Sequence, residues 1–212
     1  MQIKINNNHF LNNVFVFYAR IPERIVFSPV SPKSRNDEIN SIANEELKRE
    51  KYTAWRLLEY ALCDLFSLSL DEADLKKDEN GKWKSPKCEF SISHGHSCVA
   101  VAISHAPVGI DIEPTDTVLK NGFAKRFLTE EEYSAYTSCN NAEKEAFLLT
   151  RWCIKEAVFK KHGVKAFAPS KTTENNENVF TKRIFSGEKE FVLAVVTEPS
   201  VNEVIVKEVA LS

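Results

Sequence analysis

Apolar residues in the first third of the chain recur with the spacing of a helix. Between about residues 36 and 70 they recur at helical spacing, which predicts one long helix with a single buried face. The residues on this face are Ile39, Ile42, Leu47, Trp55, Leu58, Leu62 and Leu65.

Two further helices are predicted in the second half of the chain. The segment "AEKEAFLLTRWCIKEAVFKKHG" should be helical up to Gly163, because glycine favours a helix C-terminus and the preceding turn is basic. Thr129 and Glu132 form a capping-box pattern, which predicts that another helix begins at "TEEEYSAY".

Short apolar runs elsewhere predict β-strands. One precedes the long helix ("VFVFYA"), three lie in the middle of the chain ("CEFSIS", "SCVAVAIS" and "VGIDIE"), and three lie near its end ("VFTKRIF", "EFVLAVVT" and "EVIVKEVA"). Asn80-Gly81 is a strong hairpin signal. The predicted fold class is therefore α+β.

Composition narrows the functional class. The 212 residues carry a formal charge of −2, so no basic field indicates nucleic-acid binding. The apolar runs are too short to span a bilayer, and the first residues lack the pattern of a signal peptide. Five scattered cysteines without a C-x-x-C pair predict reduced, buried thiols. We expect a soluble cytoplasmic protein.

The strand "VGIDIE" carries two acids on one face. Residues two apart on a strand project to the same side, so Asp111 and Glu113 point away from Ile110 and Ile112. Adjacent carboxylates are costly unless a cation lies between them, and a hard divalent cation needs several oxygen ligands. Taken alone, an edge strand with solvated acids is the simpler interpretation.

The last predicted helix offers a third acid. Glu156 and Lys160 are four residues apart on one face, with Trp152 one turn earlier. They form either a solvent-exposed ion pair or, because this face is partly apolar, a half-buried functional site. Lys155 points to another face and is predicted to have a structural or peripheral role.

The strand end "SISH" places Ser93 and His94 beside a probable turn at Gly95. His94 is either simply exposed or positioned to hydrogen-bond a phosphate. Ser93 is not predicted to be a nucleophile, because no G-x-S-x-G motif surrounds it.

Together these motifs resemble the phosphopantetheinyl transferase family, of the large, surfactin-synthetase-associated type. That family combines a strand ending in Ser-His, a G-[IV]-D-[IVL]-E strand and a W-x-x-K-E-[SA]-x-x-K helix. Here the motifs are Ser93-His94, Gly109 to Glu113, and Trp152 to Lys160. "AKRFLTEEEY" is similar to the segment between the last two motifs, and the resemblance runs from about residue 48 to residue 163.

The resemblance implies a fold and a metal site. It implies two similar α+β halves related by a pseudo-twofold, residues 1–105 and 106–212, with coenzyme A in the cleft between them. It also implies that Asp111, Glu113 and Glu156 bind Mg²⁺, which holds the coenzyme A diphosphate. The large type of the family suggests a monomer.

The implied reaction transfers 4'-phosphopantetheine from coenzyme A to a serine hydroxyl of an acyl, peptidyl or polyketide carrier protein. Adenosine 3',5'-bisphosphate leaves. Glu156 is the predicted general base, acting directly or by way of a water on the metal, and Lys160 is predicted to bind the phosphates.

The resemblance also implies contacts to coenzyme A from Arg56, Lys82, Ser93 and His94. Lys82 is followed by Trp83 where the family usually has proline, so the backbone course there departs from the pattern. Lys48 and Lys51 are either further phosphate contacts or part of a solvated, charged helix face.

Two other functions fit parts of the pattern. A metal-dependent nuclease is disfavoured, because Glu113 is followed by Pro114 and the lysine lies on a distant helix. A non-catalytic coenzyme A or carrier-binding module of the same fold is the main alternative.

The segment "LKNGFAKRFLTEEEY" is a predicted partner surface. Phe123 and Phe127 are four apart, and Lys120, Lys125 and Arg126 surround them. Packing into the core is the simpler account for Phe127, whereas an exposed Phe123 rimmed by cations would suit an acidic carrier protein.

Overall fold

Helices and strands are interspersed along the chain, which confirms the α+β class. The computed structural model describes residues 12–119, 122–163 and 167–211. The strands are β1 (Asn13–Arg20), β2 (Lys76–Lys77), β3 (Trp83–Lys84), β4 (Glu89–Gly95), β5 (Cys98–Ser104), β6 (Val108–Pro114), β7 (Asn178–Ser186), β8 (Lys189–Thr197) and β9 (Glu203–Glu208). The helices are α1 (Lys33–Ser41), α2 (Glu45–Phe66), α3 (Ala124–Phe127), α4 (Glu130–Ser138) and α5 (Asn141–His162), with a 3₁₀ turn at Pro169–Lys171.

The strands form two main sheets. The first has the order β4-β5-β1-β9, and the second has the order β6-β8-β7. Neighbouring strands are antiparallel except β1 and β9, which are parallel. Strand β9 therefore returns from the end of the chain to the first sheet, so a single division at residues 105/106 does not separate the sheets. The two halves and their pseudo-twofold stay predictions.

Alternating side chains along the strands build a four-layer core. Phe15 and Phe17 of β1 pack in one cluster with Trp55 of α2, whereas Val14 and Val16 belong to a second cluster. That second cluster lies between the two sheets, and its partners on the second sheet include Ile110, Ile112, Leu193 and Val195. The order of layers is α2, first sheet, second sheet and α5. Strands buried on both faces explain continuous apolar runs such as "CVAVAIS".

Helix α5 covers the outer face of the second sheet at very short range. Its Cys153 and Ala157 pack against Val192 and Ala194 of β8. A Cβ atom on Gly109 of β6 would lie 1.9 Å from the carbonyl oxygen of Ala157. The absence of a side chain at Gly109 therefore lets the helix approach the strand that carries the acidic motif.

The edges of the two sheets meet at β4 and β6 through serine hydroxyls. Ser91 Oγ accepts a hydrogen bond from the backbone N–H of Ile110 at 3.2 Å, and Ser93 Oγ accepts from Ile112 at 3.3 Å. These side chains take the place of backbone carbonyls in joining the two edges.

The predicted long helix from residue 36 to residue 70 is wrong in extent. It is divided into α1 and α2 by an extended link at Ile42–Asn44. The Asn44 side chain accepts a hydrogen bond from the backbone N–H of Leu47 at 2.9 Å, so this residue caps a new helix instead of continuing the first. The helix ends at Ser67, which adopts a left-handed conformation.

The local signals elsewhere are confirmed. Strands β2 and β3 pair around the turn at Asn80-Gly81. Thr129 and Glu132 form both hydrogen bonds of a capping box, and α5 ends at Gly163 with a φ of 62°. Within the described part of the chain, every helix is too short or too polar to cross a bilayer.

The cysteines differ in part from expectation. All five are free thiols, and Cys88, Cys98 and Cys153 are buried as predicted, whereas Cys63 is exposed. Position on the solvent side of α2 accounts for the exposure of Cys63, which borders a surface cavity.

We predict that Gly109→Ala destabilises the protein by about 3 kcal/mol, the upper end of typical overpacking costs, because the new methyl group meets backbone atoms of α5. Gly81→Ala is the matched control. Its Cβ would have no neighbour within 4 Å, so only the left-handed backbone at φ 81° adds a cost, about 1 kcal/mol. Urea unfolding of both variants measures the difference, and equal costs would contradict the close packing of α5 on β6.

Candidate active site

Asp111, Lys160 and Ser93 form the centre of the site. Asp111 projects from β6 towards α5 and is only 4% exposed. Its Oδ1 atom accepts hydrogen bonds from Lys160 Nζ at 2.7 Å and from Ser93 Oγ at 2.8 Å. Lys160 Nζ also donates to Ser93 Oγ at 2.9 Å. The structure thus brings together three residues that the sequence places on three separate elements.

Two more carboxylates share this charge cluster. Burial, followed by the negative charge of Asp111, raises the pKa of Glu113 to about 7. Glu156 also adds to this effect on Glu113. Burial likewise raises the pKa of Glu156; the positive charge of Lys160 opposes this effect, and the charge of Asp111 adds to it. The charges of Asp111, Glu113, Glu156 and Lys160 therefore influence one another, and the roles predicted for these residues stay predictions.

The cluster holds more negative than positive charge. Lys160 pairs with Asp111, the charges of Glu113 and Glu156 also interact with that of Lys160, and Asp111 Oδ2 is buried without a hydrogen-bond partner. An unpaired buried carboxylate oxygen is costly, and an added cation would satisfy it. Within residues 12–119, 122–163 and 167–211, no three His, Cys, Asp or Glu side chains already converge as a metal site. The ligand set for Mg²⁺ therefore stays a prediction whose donor chemistry fits.

His94 lies near this cluster and contacts the helix α2. Its Nε2 atom is 2.6 Å from Lys51 Nζ, and its Nδ1 atom is 3.1 Å from Glu50 Oε1. Burial and the charge of Lys51 lower the pKa of His94, which favours a neutral imidazole. His94, Glu50 and Glu113 line one cavity of about 350 Å³. Glu50 was not predicted; its position beside Lys51 in sequence is the only signal for it.

Lys82 approaches the site from the β2–β3 hairpin. Its Nζ atom donates to the backbone carbonyl oxygen of Lys160 at 2.5 Å. Burial, with a smaller effect from Lys84, lowers the pKa of Lys82 to about 8. Lys82, Trp83, Phe159 and Lys160 line a second cavity of about 350 Å³. The hairpin therefore places a lysine beside Lys160 despite the departure from the family pattern.

Arg56 and Lys48 lie elsewhere. Arg56 forms an ion pair with Glu59 and lines a separate cavity of about 830 Å³, bordered by Tyr52. The ammonium group of Lys48 lies 4.8 Å from the ring centre of Phe27. The predicted set of coenzyme A contacts is thus only partly gathered, and Lys51 is the α2 lysine that reaches His94.

Of the two roles predicted for Lys155, structural or peripheral, its contacts fit the structural one. The residue is fully buried, and its Nζ atom donates to the carbonyl oxygens of Pro169 and Thr172 at 2.8 and 2.7 Å. It also pairs with Glu132 at 2.9 Å. These contacts hold the 3₁₀ turn against α5 and were not apparent from the sequence.

Phe123, Phe127 and Trp152 form one aromatic cluster near the site. Phe127 is fully buried, as predicted, and its ring lies 5.0 Å from that of Phe123. Phe123 is half-buried and not freely exposed, because it also packs 5.4 Å from Trp152. Lys125 and Arg126 are exposed beside it, whereas Lys120 lies outside the described residues.

Comparison with known proteins identifies relatives of the site-bearing part of the chain. The family model of the 4'-phosphopantetheinyl transferase superfamily matches residues 107–203, which include Asp111, Glu113, Glu156 and Lys160. The 4'-phosphopantetheinyl transferase psf-1 of Bacillus pumilus is 31% identical over 113 residues, 50% of this chain and 47% of its own length. The transferase Sfp of Bacillus subtilis is 33% identical over 99 residues, 44% of each chain.

A smaller relative is covered more completely. The holo-[acyl-carrier-protein] synthase of Lactobacillus delbrueckii is 33% identical over 92 residues, which are 38% of this chain and 67% of that protein. The matched segment spans less than half the length of the two Bacillus transferases. These matches agree with the resemblance carried by the acidic strand and the helix motif, and the chain belongs to the 4'-phosphopantetheinyl transferase superfamily.

Proposed function

We propose that this protein transfers 4'-phosphopantetheine from coenzyme A to the serine hydroxyl of an acyl, peptidyl or polyketide carrier protein. The observation that carries the proposal is the buried Asp111 carboxylate, which pairs with Lys160 at 2.7 Å and whose charge acts on the half-buried Glu113 and Glu156. Phosphoryl transfer needs positive charge beside the phosphoryl oxygens and a base beside the attacking hydroxyl. The names of the related transferases and synthases support the same reaction.

The acidic cluster is suited to Mg²⁺. Asp111, Glu113 and Glu156 would hold the ion, and the buried free oxygen of Asp111 supports this assignment. When bound, Mg²⁺ would offset the surplus negative charge of the site and stabilise the charge that develops on the coenzyme A diphosphate.

The remaining chemistry falls to side chains of this chain. Lys160 places its ammonium group against the diphosphate as a point charge. Glu156 accepts the proton of the carrier serine, and its raised pKa brings its basicity closer to neutral pH. The serine oxygen then forms a bond to phosphorus, and the bond from phosphorus to adenosine 3',5'-bisphosphate breaks.

The residues predicted to contact coenzyme A do not all line the same cavity. Lys51 supplies a positive charge that suits the ribose 3'-phosphate, and the neutral imidazole of His94 beside it can hydrogen-bond the same group. Lys82 contacts the backbone of Lys160 and adds a further lysine there. Arg56 stays a predicted contact, although its side chain lines a different cavity. We also propose a cytoplasmic monomer; the five free thiols support the compartment.

The proposed reaction is tested by the mass of a purified apo-carrier protein after incubation with the enzyme, coenzyme A and Mg²⁺. We expect the mass to increase by one phosphopantetheine group. Lys160→Ala should slow this reaction about 100-fold to 1,000-fold, as does the loss of one preorganised donor elsewhere. Glu156→Gln should slow it at least as much, because it removes a base and a metal ligand.

Lys144→Ala is the matched control for Lys160→Ala. Lys144 lies on the same helix, away from the acids and above the ring of Tyr136. It should leave the rate unchanged. A wild-type protein that binds coenzyme A without changing the carrier mass would instead support the non-catalytic binding module.

The acidic cluster predicts a pH-dependent stability in metal-free buffer. The raised pKa of Glu113 means that the folded state binds its proton more tightly than the unfolded state. This contribution is fully present below about pH 4.5 and is lost as the pH rises through about 7. Glu113→Gln should therefore melt at a higher temperature than the wild type at pH 8, and the difference should vanish towards pH 4.5.

Thermal unfolding with a chelator present measures this difference. Glu145→Gln, which changes an exposed carboxylate on α5, is the control and should show no such trend. A constant difference between Glu113→Gln and wild type across this range would show that burial and the charge of Asp111 do not raise the pKa of Glu113 in the folded state.

The proposed docking surface for the carrier lies around α3. Lys125 and Arg126 are exposed there, and carrier domains offer acidic surfaces. Lys125→Glu with Arg126→Glu should raise the KM for the carrier about tenfold at low salt, with the KM for coenzyme A unchanged. Added salt should reduce the effect. These charge changes are sharper probes than Phe123→Ala, which would also disturb Trp152.

Lys182→Glu with Lys189→Glu provides the matched control for docking. Both lysines are exposed on the β7–β8 hairpin, and the net charge changes by the same amount. Equal effects of the two double variants would indicate a response to net charge alone and would place docking elsewhere.

A further inference from the structure

The hydroxyl of Ser93 is fully engaged inside the protein. It donates to Asp111 Oδ1 at 2.8 Å, and it accepts from Lys160 Nζ at 2.9 Å and from the backbone N–H of Ile112 at 3.3 Å. A hydroxyl has one hydrogen and two lone pairs, so these contacts use its whole hydrogen-bonding capacity. The residue is 2% exposed. Ser93 therefore has no remaining hydrogen-bonding capacity and almost no exposed surface with which to contact coenzyme A.

The two oxygens of Asp111 are unequal as a result. Oδ1 receives hydrogen bonds from both Ser93 and Lys160, whereas Oδ2 is buried and has no hydrogen-bond partner. A carboxylate held at one oxygen by two donors cannot rotate freely. Its second oxygen is thereby held in a constant direction and left unpaired.

We propose that Ser93 is a positioning residue of the transfer site. It holds the Asp111 carboxylate so that Oδ2 stays available to a divalent cation, and it keeps the Lys160 ammonium group beside Oδ1. This inference rests on the proposed function, and it replaces the predicted direct contact between Ser93 and coenzyme A.

Ser91 is a built-in comparison for Ser93. It lies two residues earlier on β4, is 3% exposed, and accepts from the backbone N–H of Ile110 at 3.2 Å. Among the hydrogen bonds of the described residues, its hydroxyl has no charged partner. The two serines share the task of joining β4 to β6, and only Ser93 also contacts the charged groups.

The experiment compares Ser93→Ala with Ser91→Ala in the full-length protein. Without metal, both variants should unfold at lowered temperatures, because each leaves one backbone N–H of β6 unpaired, and Ser93→Ala should unfold at the lower temperature of the two because it also loses its hydrogen bonds to Asp111 and Lys160. In calorimetric titrations with Mg²⁺, only Ser93→Ala should lose affinity, by about tenfold or more, as is typical for groups that orient a metal ligand. Transfer assays of the same variant should show a lower kcat with an unchanged KM for coenzyme A.

Ser93→Thr and Ser93→Cys keep the test decisive if the alanine variant does not fold. Threonine retains the hydroxyl and should preserve Mg²⁺ affinity, whereas cysteine hydrogen-bonds weakly and should lose it. Wild-type Mg²⁺ affinity in Ser93→Ala, or a raised KM for coenzyme A alone, would overturn the positioning role. Failure of the wild type itself to bind Mg²⁺ or to modify a carrier would overturn the proposed function instead.

Discussion

A surplus of negative charge buried between a strand and a helix is the interaction on which the site depends. Asp111 cannot turn towards solvent, because the opposite face of β6 supplies Ile110 and Ile112 to the core between the sheets. Helix α5 covers Asp111. It supplies the ammonium group of Lys160, which pairs with Asp111, and the carboxylate of Glu156, whose charge interacts with that of Asp111. Packing therefore maintains a charge imbalance that water would otherwise relieve. Burial and the negative charge of Asp111 raise the pKa of Glu113, and a bound divalent cation would lower it again.

Features set by neighbours in sequence were predictable. The alternation of "GIDIE" placed Asp111 and Glu113 on one face of a strand, and the i, i+4 spacing placed Glu156 and Lys160 on one face of a helix. Helix ends and the hairpin followed from capping boxes and glycines, whose effects act over a single turn. The resemblance of the combined motifs to a known family added the prediction that β6 and α5 contribute to one site. Residue spacing within one element cannot reveal which other element packs against it.

Features set by contacts between distant elements were not predictable. The direction in which each α2 side chain points depends on how the helix rests on the first sheet, and this decides that Lys51 meets His94 while Arg56 lines another cavity. The break before Asn44 reflects competition between a cap and a continuing helix, which apolar spacing does not report. The bridging serines of β4 could be interpreted only after β4 and β6 were found side by side.

The parallel pairing of β1 with β9 has a consequence for how the protein is made. β1 pairs with residues 203–208, which are synthesised long after it, so the first sheet cannot be completed until those residues have left the ribosome. During synthesis, the edge of β1 that later accepts β9 is open to other strands. Until β9 pairs with β1, the first sheet therefore has an aggregation-prone edge, and loss of residues 203–208 would leave that edge exposed.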